Sequence, residues 1–213
     1  MKGKMTVLFD WKAMGGNAYI PLGVIMLLFV YGLFKNHSVA SFIPGIETCI
    51  PIFGAWWPIF LLKDIIEEPG GETLFSYSVS KYMWGTYRIS VYSLLYLILI
   101  CLLLIAIDPF YDESLFISLF TQIGLESLFF SSLGFLTMVL CRNTGWALVL
   151  VAIYASTQIL TGGELFSVIN VYWFNHSLIP LNEQINHLGK WFIFSVILWI
   201  FAQTEFNKLQ KFR

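Results

Sequence analysis

Charged residues are scarce in this chain. Only 12% of its 213 residues are charged, whereas 58% are hydrophobic and the mean hydropathy is +0.75. In soluble domains about a quarter of the residues are charged. A soluble fold of this size has too little polar surface to cover so many apolar side chains. The composition therefore predicts an integral membrane protein. The formal net charge of −1 gives no polybasic face for nucleic acid.

Cysteine patterns and nucleotide-binding motifs are also lacking. The three cysteines, Cys49, Cys101 and Cys141, lie within or at the end of apolar runs and indicate neither a disulfide framework nor a metal site. No G-x-x-x-x-G-K-[ST] motif occurs, so ATP binding by a P-loop is not expected in this chain. Residues 1–16 lack the apolar core and cleavage site of a signal peptide.

Long apolar runs occupy most of the sequence. A helix needs about 20 apolar residues to cross the hydrocarbon core of a bilayer. The runs predict one all-α transmembrane domain, 1–213, with six transmembrane helices. The predicted spans are 17–34, 43–62, 89–107, 114–140, 146–161 and 190–206. Residues 1–15 mix lysines with aromatic side chains, which predicts an N-terminal interfacial helix, with a frayed tail as the alternative.

Three polar residues and two prolines stand out inside these spans. Pro51 and Pro58 remove backbone donors and are expected to kink span two. Glu47 is expected in the first turn of that span, as an interfacial glutamate favoured by the helix dipole, or alternatively facing a solute pathway. Glu126 in span four is expected to bond to a neighbouring span, with a transport role as the alternative. Gln158 belongs to a small, polar patch suited to close helix packing.

The charges that the chain does have are concentrated between spans two and three. A helix breaker, 69–71, divides this connection into an acidic part and an amphipathic part. The pattern predicts a water-exposed segment, 63–88, with one or two short helices along the membrane surface. Its charged residues are Lys63, Asp64, Glu67, Glu68, Glu72, Lys81 and Arg88.

Lysine and arginine are distributed unequally between the two sides of the predicted topology. Ten of these basic residues are in the terminal segments or in the connections 63–88 and 141–145, which share one side of the membrane. Two basic residues, Lys35 and Lys190, are on the opposite side. Because the side richer in basic residues is cytoplasmic, both termini and 63–88 are predicted to be cytoplasmic. The ten are Lys2, Lys4, Lys12, Lys63, Lys81, Arg88, Arg142, Lys208, Lys211 and Arg213.

Two connections carry a resemblance to a known family. In the first, an acidic segment is followed by a Gly-Glu-Thr-Leu run and a short polar turn with a basic residue; in the second, span four ends in LCRNTGWAL. With the NHSLIP piece in the connection 162–189, this order resembles the membrane (permease) subunit of type-2 ABC exporters. The residues of the first connection that carry the resemblance are Glu67, Glu68, Gly71, Glu72, Thr73, Leu74, Ser78, Val79, Ser80 and Lys81.

The resemblance implies that membrane transport and ATP binding are carried out by separate chains. In this family the first cytoplasmic loop is a coupling helix that docks on a separate ATP-binding subunit, and two permease chains pair around a pathway, as a homodimer or a heterodimer. It also implies short re-entrant extracellular helices within 162–189 and a location in the plasma membrane of a bacterium. The candidate coupling residues are Glu67, Glu68, Glu72, Lys81 and Arg142. Because ATP would bind to the partner, no cofactor is expected in this chain.

Alternative functions remain open at this point. A non-transporting immunity or sensory component would keep the same architecture. An intramembrane enzyme would have to use His37, His176, His187, Glu47, Glu126 or Glu164, but their spacing matches no metal or nucleophile motif. A secondary carrier is disfavoured because no charged pair or matched broken helices mark an ion site. The aromatic-rich spans favour a hydrophobic or peptide-like substrate, an antibiotic or a lipid over a highly charged solute.

Overall fold

Helices make up nearly all of the secondary structure. The computed structural model describes residues 7–34, 39–68, 80–111, 115–165, 167–175 and 177–209, and these ranges contain no strand. The α-helices are α1 Val7–Met14, α2 Ile20–Phe34, α3 Val39–Phe53, α4 Trp56–Ile66, α5 Arg88–Ile107, α6 Phe116–Cys141, α7 Thr144–Thr161 and α8 Leu181–Lys208. Shorter turns are the 3-10 helices Gly15–Tyr19, Asp108–Phe110 and Ser167–Ile169 and the π-helix Met83–Tyr87.

Six helical units are long and apolar enough to cross a membrane, which confirms the predicted all-helical, multi-span class. They are Val7–Phe34, Val39–Ile66, Met83–Phe110, Phe116–Cys141, Thr144–Thr161 and Leu181–Lys208. The first includes α1, which Gly15 separates from α2 with a left-handed φ of 57°; the interfacial position of residues 1–15 stays a prediction. The last begins at Leu181 and not at 190, because polar residues after Pro180 continue the helix and do not end it.

The predicted re-entrant helices before the last span are not confirmed. Between Gly162 and Pro180 the described residues form one short 3-10 turn, Ser167–Ile169, and otherwise irregular backbone. We call 162–180 the outer segment. It follows α7, which ends with Gly162 in the left-handed conformation, as is common at helix C-termini.

Helix α6 lies at the centre of the molecule. It packs against α3, α4, α5, α7 and α8. Its span is the most buried of the six, because 72% of its apolar 18-residue stretch lies inside the protein. By contrast, α8 exposes large apolar side chains such as Ile193, Ile197 and Ile200. Such a face is typical of a helix in contact with lipid.

Span two is interrupted between α3 and α4. Gly54 and Ala55 form a turn in which the Gly54 amide donates to the carbonyl of Pro51, 2.9 Å away. The carbonyl of Ile50 instead accepts the Tyr96 hydroxyl at 2.6 Å. The predicted interruption is therefore present, and a tyrosine of α5 satisfies a backbone group beside the break, as irregular backbone inside a membrane requires.

The two interior prolines flank this one break. Pro51 lies near the end of α3, and Pro58 lies in the first turn of α4, where a helix does not need the missing amide donor. The break packs closely on α6. A Cβ atom on Gly54 would lie 2.6 Å from the carbonyl oxygen of Ser127, and one on Gly134 would lie 2.7 Å from that of Ala55.

Candidate functional site

Glu67, a predicted coupling residue, joins the two polar connections at one end of the bundle. It lies just after α4, and its Oε2 accepts the backbone amide of Thr144 at 2.9 Å as well as the Thr144 hydroxyl. Its Oε1 accepts the side-chain amide of Asn143 at 3.2 Å. The carboxylate thus lies at the N-terminus of α7, where the helix dipole favours negative charge. The hydrogen bonds from Thr144 lower the pKa of Glu67 from its ordinary value.

Arg142 and Glu68 lie next to this contact in the chain. Arg142 adopts a left-handed φ of 52°, which ends α6, and its backbone amide donates to the carbonyl of Met138. Glu68 forms an exposed ion pair with Lys63 at 3.5 Å. Exposed pairs of this kind contribute little to stability, and the Arg142 side chain is exposed as well. Glu72, the fifth coupling candidate, lies outside the described residues.

The beginning of α5 is tied to the end of α8. The Lys81 ammonium donates to the carbonyl of Asn207 at 2.6 Å. In the π-helix before α5, the backbone amide and the hydroxyl of Thr86 both donate to Oε1 of Gln203, each at 2.8 Å. We call the surface formed by 63–68, 80–88, 141–144 and 203–208 the charged end. Four of the five predicted coupling residues lie on it.

One charge at this end is buried, which corrects the prediction that all of 63–88 faces water. Arg88 is 4% exposed and forms an ion pair with Asp10 of α1 at 2.8 Å. It also donates to the carbonyl of Leu61 at 2.7 Å. Arg88 therefore joins α1, α4 and α5. Asp10 is an acidic residue inside an otherwise apolar and basic N-terminal segment. This was the sequence feature that could have indicated the pair.

Glu47 lies buried inside the protein. Helix α3 begins at Val39, so Glu47 falls in its third turn, where it is 1% exposed. The expectation of a first-turn glutamate is wrong, because the helix starts earlier than the apolar run indicates, whereas its interfacial position stays a prediction. Its Oε1 accepts the backbone amides of Trp173 at 2.6 Å and Phe174 at 2.9 Å. Glu47 therefore holds the outer segment, including Phe174 with its left-handed φ of 54°.

Glu126 is buried to the same degree. It is 1% exposed, and Gln122, one turn away on α6, donates to its Oε1 at 3.3 Å. The expected bond to a neighbouring span is thus replaced by one within the same helix. Its Oε2 has no hydrogen-bond partner among the described residues. Glu126 and Glu47 are close enough for their carboxylates to interact electrostatically, although they belong to different spans.

Gln158 lies on the buried face of α7, together with Val151 and Ala155. It is fully buried at 0% exposure, and neither its amide nitrogen nor its amide oxygen has a hydrogen-bond partner within the described ranges. Helices α6 and α7 form a hairpin with a two-residue connection. Residues that are equally far from the turn in the sequence therefore lie at the same height along the two helix axes. Gln158 and Ser127 both lie about 15 residues from the turn, and the buried Ser127 hydroxyl also has no partner in the described part of the chain.

Tyr172 of the outer segment completes this group. Its ring packs on Phe130 of α6 at 5.8 Å. Its hydroxyl, in a side chain 2% exposed, has no hydrogen-bond partner among the residues described and interacts electrostatically with Glu126 and Glu47. Burial and the two carboxylates raise the pKa of Tyr172, so its hydroxyl stays protonated. We call Glu47, Glu126, Ser127, Gln158 and Tyr172 the buried polar cluster.

The buried polar cluster supplies two neighbouring carboxylates beside one broken helix, an arrangement that the sequence did not predict. In the described ranges, no three histidine, cysteine, aspartate or glutamate side chains come together to hold a metal ion. His187 accepts a hydrogen bond from the Trp191 indole at 3.1 Å, and Glu164 is exposed. His37 and His176 lie outside the described residues.

Comparisons with known proteins give no assignment. No protein-family model, curated protein or solved structure matches this chain.

Proposed function

We propose that this chain is the membrane subunit of an ATP-binding cassette exporter, driven by a separate ATPase and paired with a second permease chain. The contact of Glu67 with Asn143 and Thr144 is the observation that carries the proposal. It ties the connection after α4 to the N-terminus of α7, so that the charged end is one linked surface. A linked surface can transmit the movement of a docked partner to several spans.

The remaining contacts of the charged end support the same reading. Arg88 links α5 to α1 and α4, and Gln203 of α8 holds the start of α5. A force applied to the segment 63–88 would therefore reach α1, α4, α5, α7 and α8. The apolar outer faces of the spans are compatible with a hydrophobic or peptide-like substrate, an antibiotic or a lipid.

The proposal is tested by co-purification in mild detergent. The tagged chain is expected to bring with it a soluble ATP-binding protein, and the partner composition would distinguish a homodimer from a heterodimer. Replacement of Glu67 and Glu68 together by Gln, or of Glu72 by Gln, is expected to reduce ATPase association and ATP-dependent transport by about tenfold. Glu183→Gln, an exposed carboxylate at the opposite end of α8, is the matched control.

Two results would contradict this function. If the Glu67/Glu68 double variant is as thermally stable as the wild type and still co-purifies and transports equally well, the charged end is not the coupling surface. If substrate binds but does not move when ATP is supplied, the chain is an immunity or sensory component and not an exporter.

A further inference from the structure

The buried polar cluster concentrates oxygen atoms that the protein itself does not satisfy. Oε2 of Glu126, the hydroxyls of Ser127 and Tyr172 and the amide oxygen of Gln158 are all buried and have no hydrogen-bond partner in the described residues. Native structures contain only a few such atoms per hundred residues. Glu126 and Ser127 are neighbours on α6, Tyr172 of the outer segment interacts electrostatically with Glu126, and Gln158 of α7 lies at the same height along the helix hairpin as Ser127. A shared ligand therefore accounts for these oxygens better than four separate defects.

We propose that the buried polar cluster binds one small monovalent cation, such as Na⁺, inside the membrane-spanning part of the protein. Carboxylate, hydroxyl and amide oxygens are the ligands that hard cations prefer. A carboxyl group surrounded by apolar side chains either holds a proton or pairs with a positive charge, so a bound cation would take the place of the proton on Glu126. Because Glu47 already accepts two backbone amides, Glu126 is the one carboxylate left for the ion, and its single charge fits a monovalent ion better than a divalent one.

The surroundings of the cluster suit an ion that links separate elements. Ser127 lies directly against the break between α3 and α4, and discontinuous helices are where membrane transporters hold coupling ions. Glu47, whose Oε1 already accepts two backbone amides, fixes the outer segment that carries Tyr172. A bound cation would therefore tie α6 and α7 to the outer segment. The burial of every side chain in the cluster excludes a large ligand.

The proposal is tested with the purified full-length protein in lipid nanodiscs, at one pH and constant ionic strength, with NaCl exchanged for choline chloride. We expect a saturable rise in the unfolding temperature in Na⁺, of about 5 °C at a hundred times the dissociation constant. Binding of radioactive Na⁺ is expected to saturate near one ion per chain. Competition with K⁺ and Li⁺ then measures selectivity.

Three variants separate an ion site from a structural role. Glu126→Gln, Ser127→Ala and Tyr172→Phe are each expected to weaken Na⁺ binding, by about tenfold or more for Glu126→Gln. Tyr172→Phe removes only a hydroxyl without a partner, so in choline it should leave stability unchanged or raise it while reducing the response to Na⁺. Glu183→Gln is again the control and should respond like the wild type.

The proposal is overturned if Na⁺ and choline give the same unfolding temperature, or if all three variants keep the wild-type Na⁺ response. If Glu126→Gln does not fold, Ser127→Ala and Tyr172→Phe decide the question. The cluster lies away from the charged end, so its variants should still co-purify with the ATPase. Loss of Na⁺ binding and loss of ATPase association are therefore distinguishable results, and either proposal can fail alone.

Discussion

At the scale of single residues, the ion pair between Asp10 and Arg88 is the contact with the largest expected effect on stability. Both side chains are less than a tenth exposed. Removing one member leaves a buried charge without its partner, which costs about 3–5 kcal/mol. We expect Asp10→Asn to lower the free energy of unfolding by this amount, measured by thermal or chemical denaturation in detergent.

A matched control and a double variant test the cause of that loss. Glu205 pairs with Lys208 at 2.6 Å, but Lys208 is 59% exposed, so Glu205→Gln should cost less than about 1 kcal/mol. Replacing Asp10 and Arg88 together by Leu and Met should recover much of the stability, because no buried charge then remains. Equal losses for Asp10→Asn and Glu205→Gln would contradict the buried pair.

Glu67 gives a prediction about pH. Its pKa is lowered below 4.5 by the hydrogen bonds from Thr144, so the folded state favours the ionised carboxylate. The contact therefore stabilises the protein fully above pH 4.5 and is lost as the pH falls through the lowered pKa. In an NMR titration, the amide shift of Thr144 should move with a midpoint below 4.5 in the wild type and stay flat in Glu67→Gln. A midpoint at or above 4.5 would show that the bond is absent.

At the scale of helices, the sequence predicts the spans better than their ends. The number of spans follows from apolar runs of membrane length, and the break in span two follows from Pro51 and Pro58. Glu47 was misplaced because an apolar run shows where a span is hydrophobic and not where its helix begins. The partners of Glu67 and Arg88 lie in distant parts of the chain, and no local pattern specifies such contacts. The buried polar cluster was missed for the same reason.

Gly54 provides a test of how the break packs. A Cβ atom there would lie 2.6 Å from the Ser127 carbonyl oxygen, which belongs to the rigid backbone of α6. Gly54→Ala should therefore push the break away from α6 and destabilise the protein by about 1–3 kcal/mol. Gly23→Ala in α2 is the control, since nothing lies within 4 Å of its Cβ position, and it should be neutral or slightly stabilising.

The two Gly variants also report on the buried polar cluster. Because Ser127 belongs to the cluster, Gly54→Ala should weaken Na⁺ binding as well as stability, whereas Gly23→Ala should change neither. If Gly54→Ala unfolds no more easily than Gly23→Ala, the close approach between the break and α6 is not present.

At the scale of the whole molecule, the charged end and the buried polar cluster share their helices. Span two carries Glu47 before its break, and Glu67 follows its far end. Helix α7 begins at the Thr144 contact with Glu67 and carries Gln158 near its other end. Movement of these helices by a docked partner would therefore change the geometry of the cluster. Occupation of the cluster would, in return, resist that movement.

The orientation of the molecule in the membrane is the remaining prediction at this scale. Six spans place both termini on one side, and the bias of ten basic residues against two places that side in the cytosol. Contacts of 63–68 with 141–144 and of 80–88 with 203–208 pair these segments as this topology requires. A reporter that is active only in the cytosol should therefore work after Arg213 and stay silent in the connection near Asp112. The reverse pattern would place the charged end outside the cell, where no ATPase could reach it, and would overturn both the topology and the proposed coupling.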